Sequence, residues 1–218
     1  QLYHNMELGE EMYKWATDLF PINRSLTGPG VRETLIYLKN IIPELEIKAI
    51  KSGTKVFDWI VPDEWEVFEA YIEDDKGKKI IDFSDNNLHL VGYSIAVNKM
   101  MNLEDLKEKL HTLPSQPTAI PYITSYYKRY WGFCMSYNQF KELRDCEYHV
   151  VIKSKISQGV LNFGEIYFHG NSKEEILLST YICHPSMANN EISGPVVALQ
   201  LAKWIKSLKD KRFSYRIL

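Results

Sequence analysis

The 218-residue sequence lacks several features that define whole classes of protein. It has only three cysteines, Cys134, Cys146 and Cys183, in odd number and without CxxC spacing, so we expect reduced thiols rather than disulfides. It contains no run of about 18 apolar residues, which argues against a membrane-spanning helix. Eleven glycines and nine prolines are too few for a collagenous or low-complexity chain. A globular fold with a real core is therefore expected.

Neither sign of charge is in excess. The chain has 26 Lys and Arg residues and 28 Asp and Glu residues, and its net charge is −2. A nucleic-acid-binding protein needs a basic surface to neutralise phosphates, so this balance argues against nucleic acid as a partner. The acidic residues Glu7, Glu10, Glu11 and Asp18 do not suit a secretory leader. Together with the reduced cysteines, they predict a cytoplasmic protein.

The N-terminal part contains two segments with apolar residues at helical spacing. They cover 8–19 and 31–42 and predict two amphipathic helices, the first of which ends at Phe20 and Pro21. The polar loop between them contains Arg24, for which we predict contact with a substrate carboxylate or phosphate. The alternative for this loop is a connector whose Ser and Thr hydroxyls cap backbone groups.

The middle of the chain changes to short β-like runs, which predict a small antiparallel unit. Asp74–Gly77 is a predicted hairpin turn. Asn102 is a predicted cap for a short helix over Leu103–Leu110. The predicted strands are Ile47–Lys51, Phe57–Val61, Val67–Glu73, Lys79–Phe83 and His89–Ala96.

The last third alternates strands with one helix. Strand, loop, helix and strand form a βαβ unit, which predicts parallel strands in an α/β sheet. Ser193 is the predicted cap of the helix, with Pro195 in its first turn. The predicted segments are a hairpin of His149–Ile156 with Gly159–His169, a strand covered on both faces at Ile176–Cys183, a helix through Val197 to Leu208, and a strand at Phe213–Leu218.

The polar loop that follows the predicted buried strand carries the residues best suited to chemistry. In open α/β sheets ligands bind at the carboxyl ends of the strands. His184 and Glu191 lie in this loop, and imidazole nitrogen and carboxylate oxygen are usual zinc donors. The alternative is that His184 bonds a neighbouring loop while Asn189 and Asn190 adopt left-handed turn conformations. Spacing alone leaves both interpretations open.

Long motifs across the chain resemble one known family. They are STYICHPSMANNEISGP at 179–195, FPINRSLTGPGVRETL at 20–35, SGTKVFDWIVPDEW at 52–65, NLHLVGYS at 87–94 and PYITSYYKRYWGFC at 121–134. These motifs resemble the aminopeptidase-like family of bacterial surface-polysaccharide gene clusters, which is similar to the co-catalytic zinc aminopeptidases. The resemblance implies an α/β fold, a phosphorylase/hydrolase-like three-layer sandwich formed by residues 1–44 and 131–218. A β-rich inserted domain at 45–130 is expected to interrupt it.

The resemblance also implies a metal site, with departures from the zinc aminopeptidase pattern. It makes His184 a zinc ligand and Asn190 and Glu191 further metal contacts. Ser186 stands where the zinc aminopeptidases have an orienting aspartate, and Asn190 stands where they have a bridging one. A neutral amide bridges two cations poorly, so one zinc ion is expected rather than two. The general base is expected beyond Leu218, because the sequence resembles the N-terminal half of a longer protein.

Three functions follow from these observations. The first is a zinc-dependent aminopeptidase-like hydrolase, which acts on the N-terminal amide bond of a small peptide or aminoacyl conjugate. The second is a non-catalytic relative that binds an amino-sugar or peptide ligand, or a partner protein, in the inherited pocket. The third is a structural module in which the aromatic residues at 122–133 provide packing. No oligomeric state is predicted.

Overall fold

The computed structural model describes residues 2–218, with side chains from Glu7 onward. A 3-10 helix covers Asn87–His89 and a π-helix covers Ala188–Ile192. None of the described helices combines the length and the apolar character that crossing a membrane requires. The α-helices are α1 (Leu2–Leu19), α2 (Pro29–Ile41), α3 (Leu103–Lys107), α4 (Tyr137–Lys141) and α5 (Ser193–Ser207). The strands are β1 (Glu46–Lys51), β2 (Lys55–Val56), β3 (Trp59–Ile60), β4 (Glu64–Glu73), β5 (Lys79–Asp82), β6 (Val97–Met101), β7 (Leu110–His111), β8 (Phe133–Cys134), β9 (Tyr148–Ser157), β10 (Val160–Phe168), β11 (Glu175–Leu178) and β12 (Ser214–Ile217).

The chain divides into two compact units. The first contains residues up to 63 and residues 158–218, and the second contains residues 64–157. The sequence places the boundaries of the insert at 45 and 130 instead. The difference arises from strand pairing: β1 pairs with β10 in the first unit, whereas β9 pairs with β4 and β6 in the second. Strand partners distant in sequence set these boundaries, and local sequence patterns do not report them.

The first unit is built on a four-stranded mixed sheet in the order β1, β10, β12, β11. β11 and β12 are parallel and α5 connects them, as the βαβ pattern predicts. The predicted apolar faces of α1 and α2 are buried with α5 in one core, because burial of such faces is the main force that stabilises a helix in a protein. The core residues are Trp15, Leu19, Val31, Leu35, Leu38, Ile42, Leu45, Ile166, Ile192, Val196, Leu199, Ala202, Ile205 and Ile217.

Two predictions for the last third are wrong. β9 and β10 are consecutive but do not form a hairpin, since β10 pairs with β1 and β12 in another sheet. The Ser52 N–H donates to the Gly159 carbonyl, so the turn between β9 and β10 is hydrogen-bonded to the residue that follows β1. The predicted buried strand is also shorter, because β11 ends at Leu178 and lies at the edge of the described sheet, with Leu177 57% exposed. An apolar run predicts a strand but does not report what covers it.

The second unit contains the antiparallel sheet β5, β4, β9, β6. The predicted turn joins β4 and β5, and the Asp74 carboxylate accepts hydrogen bonds from the backbone N–H groups of Lys76 and Lys78. Asn102 caps α3 by accepting from Asp105 N–H, as predicted. The predicted strand His89–Ala96 is wrong, because this segment is a 3-10 helix followed by irregular backbone with Tyr93 at a φ of 64°.

Candidate metal centre

The candidate site lies in the loop between β11 and α5, at the carboxyl end of a parallel strand. The loop closes with the π-helix at Ala188–Ile192, and the Ser193 N–H bonds back to the Ala188 carbonyl. The predicted capping role of Ser193 is wrong, since its hydroxyl donates to the Asn189 carbonyl and Ile192 is the N-cap. Ser186 and Met187 have φ angles of 53° and 27°, which are costly for residues other than glycine. Strain and π-helical turns of this kind concentrate at functional sites.

His184 and Glu191 form the centre of the site. The His184 backbone N–H donates to Glu191 Oε1 at 2.7 Å, and His184 Nδ1 lies 3.0 Å from Oε2. The Glu191 side chain is 0% exposed, whereas the His184 side chain is 25% exposed. An ionised Glu191 carboxylate can only accept hydrogen bonds, so a neutral His184 ring beside it would carry its proton on Nδ1 and its lone pair on Nε2. The His184 side chain contacts its own loop, while its backbone carbonyl accepts from Arg24 in a neighbouring loop, so the alternative's bond to a neighbouring loop is present at the backbone.

Arg24 lies against the same pair. It is 2% exposed, its Nε donates to the His184 carbonyl at 3.1 Å, and its Nη1 donates to the Leu19 carbonyl at 2.7 Å. Burial lowers the pKa of Arg24, and the negative charge of Glu191 opposes this effect. Burial likewise raises the pKa of Glu191, against the hydrogen bonds and charge of His184 and the charge of Arg24. A buried cation therefore accompanies the buried carboxylate.

Cys183 adds a third donor that the sequence analysis missed. Its Sγ lies 3.2 Å from His184 Nδ1, and burial raises the pKa of this thiol to about 11. The ligand atoms of Cys183, His184 and Glu191 all lie within 4.8 Å of one another. Its position next to His184 in the loop after β11 is the signal that identifies Cys183. Sulfur, imidazole nitrogen and carboxylate oxygen are the donor types that zinc prefers, so these residues fit the metal that the resemblance implies.

The other predicted site residues lie in different surroundings. Asn190 is on the same π-helical turn as Glu191 but is exposed, and its role as a metal contact stays a prediction. Ser186 is buried, and its hydroxyl donates to the Phe20 carbonyl at 3.4 Å. The predicted contact of Arg24 with a substrate also stays a prediction.

The loop around Arg24 has the features of the connector alternative as well. The Ser25 hydroxyl donates to the Thr27 carbonyl at 2.6 Å, and the Thr27 hydroxyl donates to the Asp63 carbonyl at 3.3 Å. These bonds satisfy backbone acceptors and fix the course of the loop. A rigid loop holds the Arg24 guanidinium in its buried position next to His184.

An apolar cavity of about 240 Å³ adjoins the site in the first unit. Side chains from α2, β10 and α5 line it, and Thr180, Ile182 and Cys183 contribute to its wall. Cys183 therefore belongs both to the cavity wall and to the donor cluster. Ligand sites commonly combine an apolar cavity with a few polar groups at its edge.

Comparison with known proteins identifies the family. The family described as a domain of unknown function, DUF4910, matches residues 13–218. The chain belongs to the DUF4910 family. A Clostridium acetobutylicum protein named as a polysaccharide biosynthesis protein with an aminopeptidase-like domain is 50% identical to this DUF4910 chain over 217 residues, which are 100% of the chain and 50% of that protein.

Solved structures agree with this relationship. A crystal structure described as a peptidase from Clostridium acetobutylicum has a TM-score of 0.94 and 50% identity, covering 97% of the DUF4910 chain and 50% of its own. A peptidase M28 precursor from Shewanella amazonensis has a TM-score of 0.59 at 10% identity, covering 97% and 65%. A zinc aminopeptidase from Bacillus subtilis has a TM-score of 0.55 at 11% identity, covering 95% and 60%.

These findings confirm two predictions from the sequence. The DUF4910 chain has the α/β fold of M28 aminopeptidases, and its resemblance to aminopeptidase-like proteins of polysaccharide biosynthesis is real. The chain is thus related to proteins that are described as peptidases or as having an aminopeptidase-like domain. It spans about half the length of the Clostridium relatives that it matches.

Proposed function

We propose that the protein containing this chain is a zinc-dependent aminopeptidase-like hydrolase. It cleaves the N-terminal amide bond of a small peptide or of an aminoacyl or amino-sugar conjugate in glycan metabolism, in the cytoplasm. The observation that carries the proposal is the cluster of Cys183, His184 and Glu191 in the loop between β11 and α5, whose donor atoms lie within 4.8 Å of one another. The fold shared with zinc aminopeptidases and the polysaccharide context of the relative support it.

The residues of this chain have different roles at the site. His184 would hold the zinc ion through its imidazole, with Asn190 as the other predicted contact, while Cys183 and Glu191 lie against Nδ1 of the same ring. Bound zinc supplies Lewis-acid polarisation of the scissile carbonyl. Both carboxylate oxygens of Glu191 are occupied by His184, so we do not assign Glu191 as the general base that amide hydrolysis needs.

The cavity next to Cys183 suggests how a substrate is held. Its lining is mainly aliphatic, and it can take an apolar part of a substrate close to the donor cluster. Arg24 is buried and donates to two backbone carbonyls, so it orders the loop beneath the site. The favoured substrate is therefore one that presents an apolar group near its cleaved amide.

Turnover of aminoacyl fluorogenic substrates by the full-length protein tests this function. We expect turnover that is lost on chelation, is restored by zinc and is absent in His184→Ala. His169→Ala removes another histidine, one that is exposed and contacts the Tyr167 ring edge to face, and it should keep wild-type turnover. Equal turnover in wild type and His184→Ala would exclude His184 from the mechanism.

A second candidate function is binding without catalysis. It is favoured by the neutral, exposed Asn190 and by Ser186, whose hydroxyl bonds the Phe20 carbonyl. Titration calorimetry with amino sugars and short peptides tests it. Saturable binding by a full-length protein that shows no turnover with zinc would support this function and exclude the hydrolase.

A further inference from the structure

Glu191 contacts His184 through both of its carboxylate oxygens. One oxygen accepts from the His184 backbone N–H at 2.7 Å and the other lies 3.0 Å from Nδ1. With its side chain 0% exposed, Glu191 has no access to solvent that would compete for these bonds. The carboxylate therefore fixes the position of the His184 backbone and the orientation of its ring together.

This contact selects one form of the imidazole. A carboxylate that accepts from Nδ1–H keeps the lone pair on Nε2, on the opposite side of the ring. Histidines that bind metals commonly donate their other ring N–H to a carboxylate, which fixes the tautomer and raises the basicity of the ligand nitrogen. Glu191 contacts Nδ1 of His184 in the way that such an orienting carboxylate does.

The local backbone explains why residue 191 provides this group. Ser186 has no carboxylate, and its hydroxyl bonds the Phe20 carbonyl. The π-helical turn Ala188–Ile192 brings the buried Glu191 back toward His184, while Asn190 on the same turn stays exposed. The π-helical turn therefore supplies the carboxylate that position 186 lacks.

We infer that Glu191 is a positioning residue for His184, which holds the Nδ1–H tautomer so that Nε2 faces the metal, and that Glu191 is not itself a zinc ligand. This inference rests on the proposed function for its metal. Arg24 supports the arrangement, because it donates to the His184 carbonyl and its charge favours ionised Glu191. Asn190 then remains the predicted contact of this loop for zinc besides His184, since Cys183 Sγ lies 3.2 Å from Nδ1, on the Glu191 side of the ring.

Nitrogen-15 NMR of the metal-free full-length protein tests the tautomer directly, with labelled histidine and His184→Ala to assign the signal. We expect the neutral His184 ring to carry its proton on Nδ1 and its lone pair on Nε2. Glu191→Gln should lose this preference, because the glutamine amide can also donate to Nδ1. Glu191→Asp, which keeps a carboxylate, should recover part of it. A wild-type His184 protonated at Nε2 would overturn the inference.

Zinc titration of the same proteins separates positioning from ligation. We expect Glu191→Gln to bind zinc at unchanged stoichiometry but about 10–100-fold more weakly, the usual effect of losing an orienting partner. The exposed Glu142→Gln control should bind as wild type does. Loss of binding in Glu191→Gln as complete as in His184→Ala, or unchanged affinity, would overturn the inference. If the wild type binds no zinc, the proposed function fails, while the tautomer measurement still decides the role of Glu191.

Discussion

Replacing Arg24 by methionine keeps the apolar stem of the side chain but removes its charge and its hydrogen-bond donors. Arg24 is 2% exposed and donates to the carbonyls of Leu19 and His184. The substitution leaves these carbonyls without their donor, and it leaves buried Glu191 without the nearby cation. We therefore expect Arg24→Met to destabilise the protein strongly.

The buried contacts of Arg24 determine how much stability Arg24→Met loses. A buried acceptor that loses its partner costs about 1–3 kcal/mol. Two backbone carbonyls lose their donor, which together costs about 2–6 kcal/mol, and buried Glu191 also loses a charge that favours its ionised form. One contribution has the opposite sign, because Nη2 of Arg24 is buried and lacks a hydrogen-bond partner among the described residues. The net loss in the free energy of unfolding is expected to be about 3–4 kcal/mol.

Urea unfolding of the full-length protein, followed by fluorescence, measures this loss. The exposed Arg129→Met should change stability by less than about 0.5 kcal/mol and is the matched control. In a double-mutant cycle with Glu191→Gln, we expect a coupling of about 1–3 kcal/mol, because the neutral glutamine no longer needs the cation. A loss as small as that of the control, or additive effects of the two substitutions, would refute this reasoning.

Three further predictions concern other parts of the chain. Gly194→Ala would place a Cβ 2.1 Å from the Thr180 hydroxyl, so we expect a loss of about 1–3 kcal/mol by thermal unfolding, partly recovered by Thr180→Ala; no loss would contradict this packing. Trp65→Phe removes the indole N–H that donates to the Ser94 carbonyl at 2.9 Å and empties part of the buried ring space, so the free energy of unfolding in urea should fall by about 1–3 kcal/mol rather than stay unchanged. Burial raises the pKa of Cys134 to about 12, so this thiol should stay protonated and resist iodoacetamide at pH 8 until the protein unfolds; fast labelling of the folded protein would count against its burial.

Local signals in the sequence predicted the elements of the fold well. The apolar faces of α1 and α2 and the Asn102 cap each depend on residues within a few positions of one another. The Asp74 turn is equally local, since its side chain bonds its own turn backbone. Parallel pairing of β11 with β12 followed from the intervening helix, because antiparallel strands do not need such a crossover.

Pairing between distant segments was not predictable in the same way. Nothing local in β9 and β10 reports that their partners are β4 and β1, which lie about a hundred residues earlier in the chain. The site shows the same limit. His184 and Glu191 follow from donor chemistry and loop position, whereas the buried placement of Arg24, 160 residues away from His184, depends on the folded core. The π-helical turn that orients Glu191 also has no recognised local signal in this sequence.

The zinc content of the full-length protein tests the central claim most directly. After incubation with micromolar zinc and exhaustive dialysis, mass spectrometry of the wild type and of His169→Ala should find stoichiometric zinc, and His184→Ala should retain none. Absence of zinc from the wild type, or equal zinc in His184→Ala, would contradict the account of a metal centre built on His184.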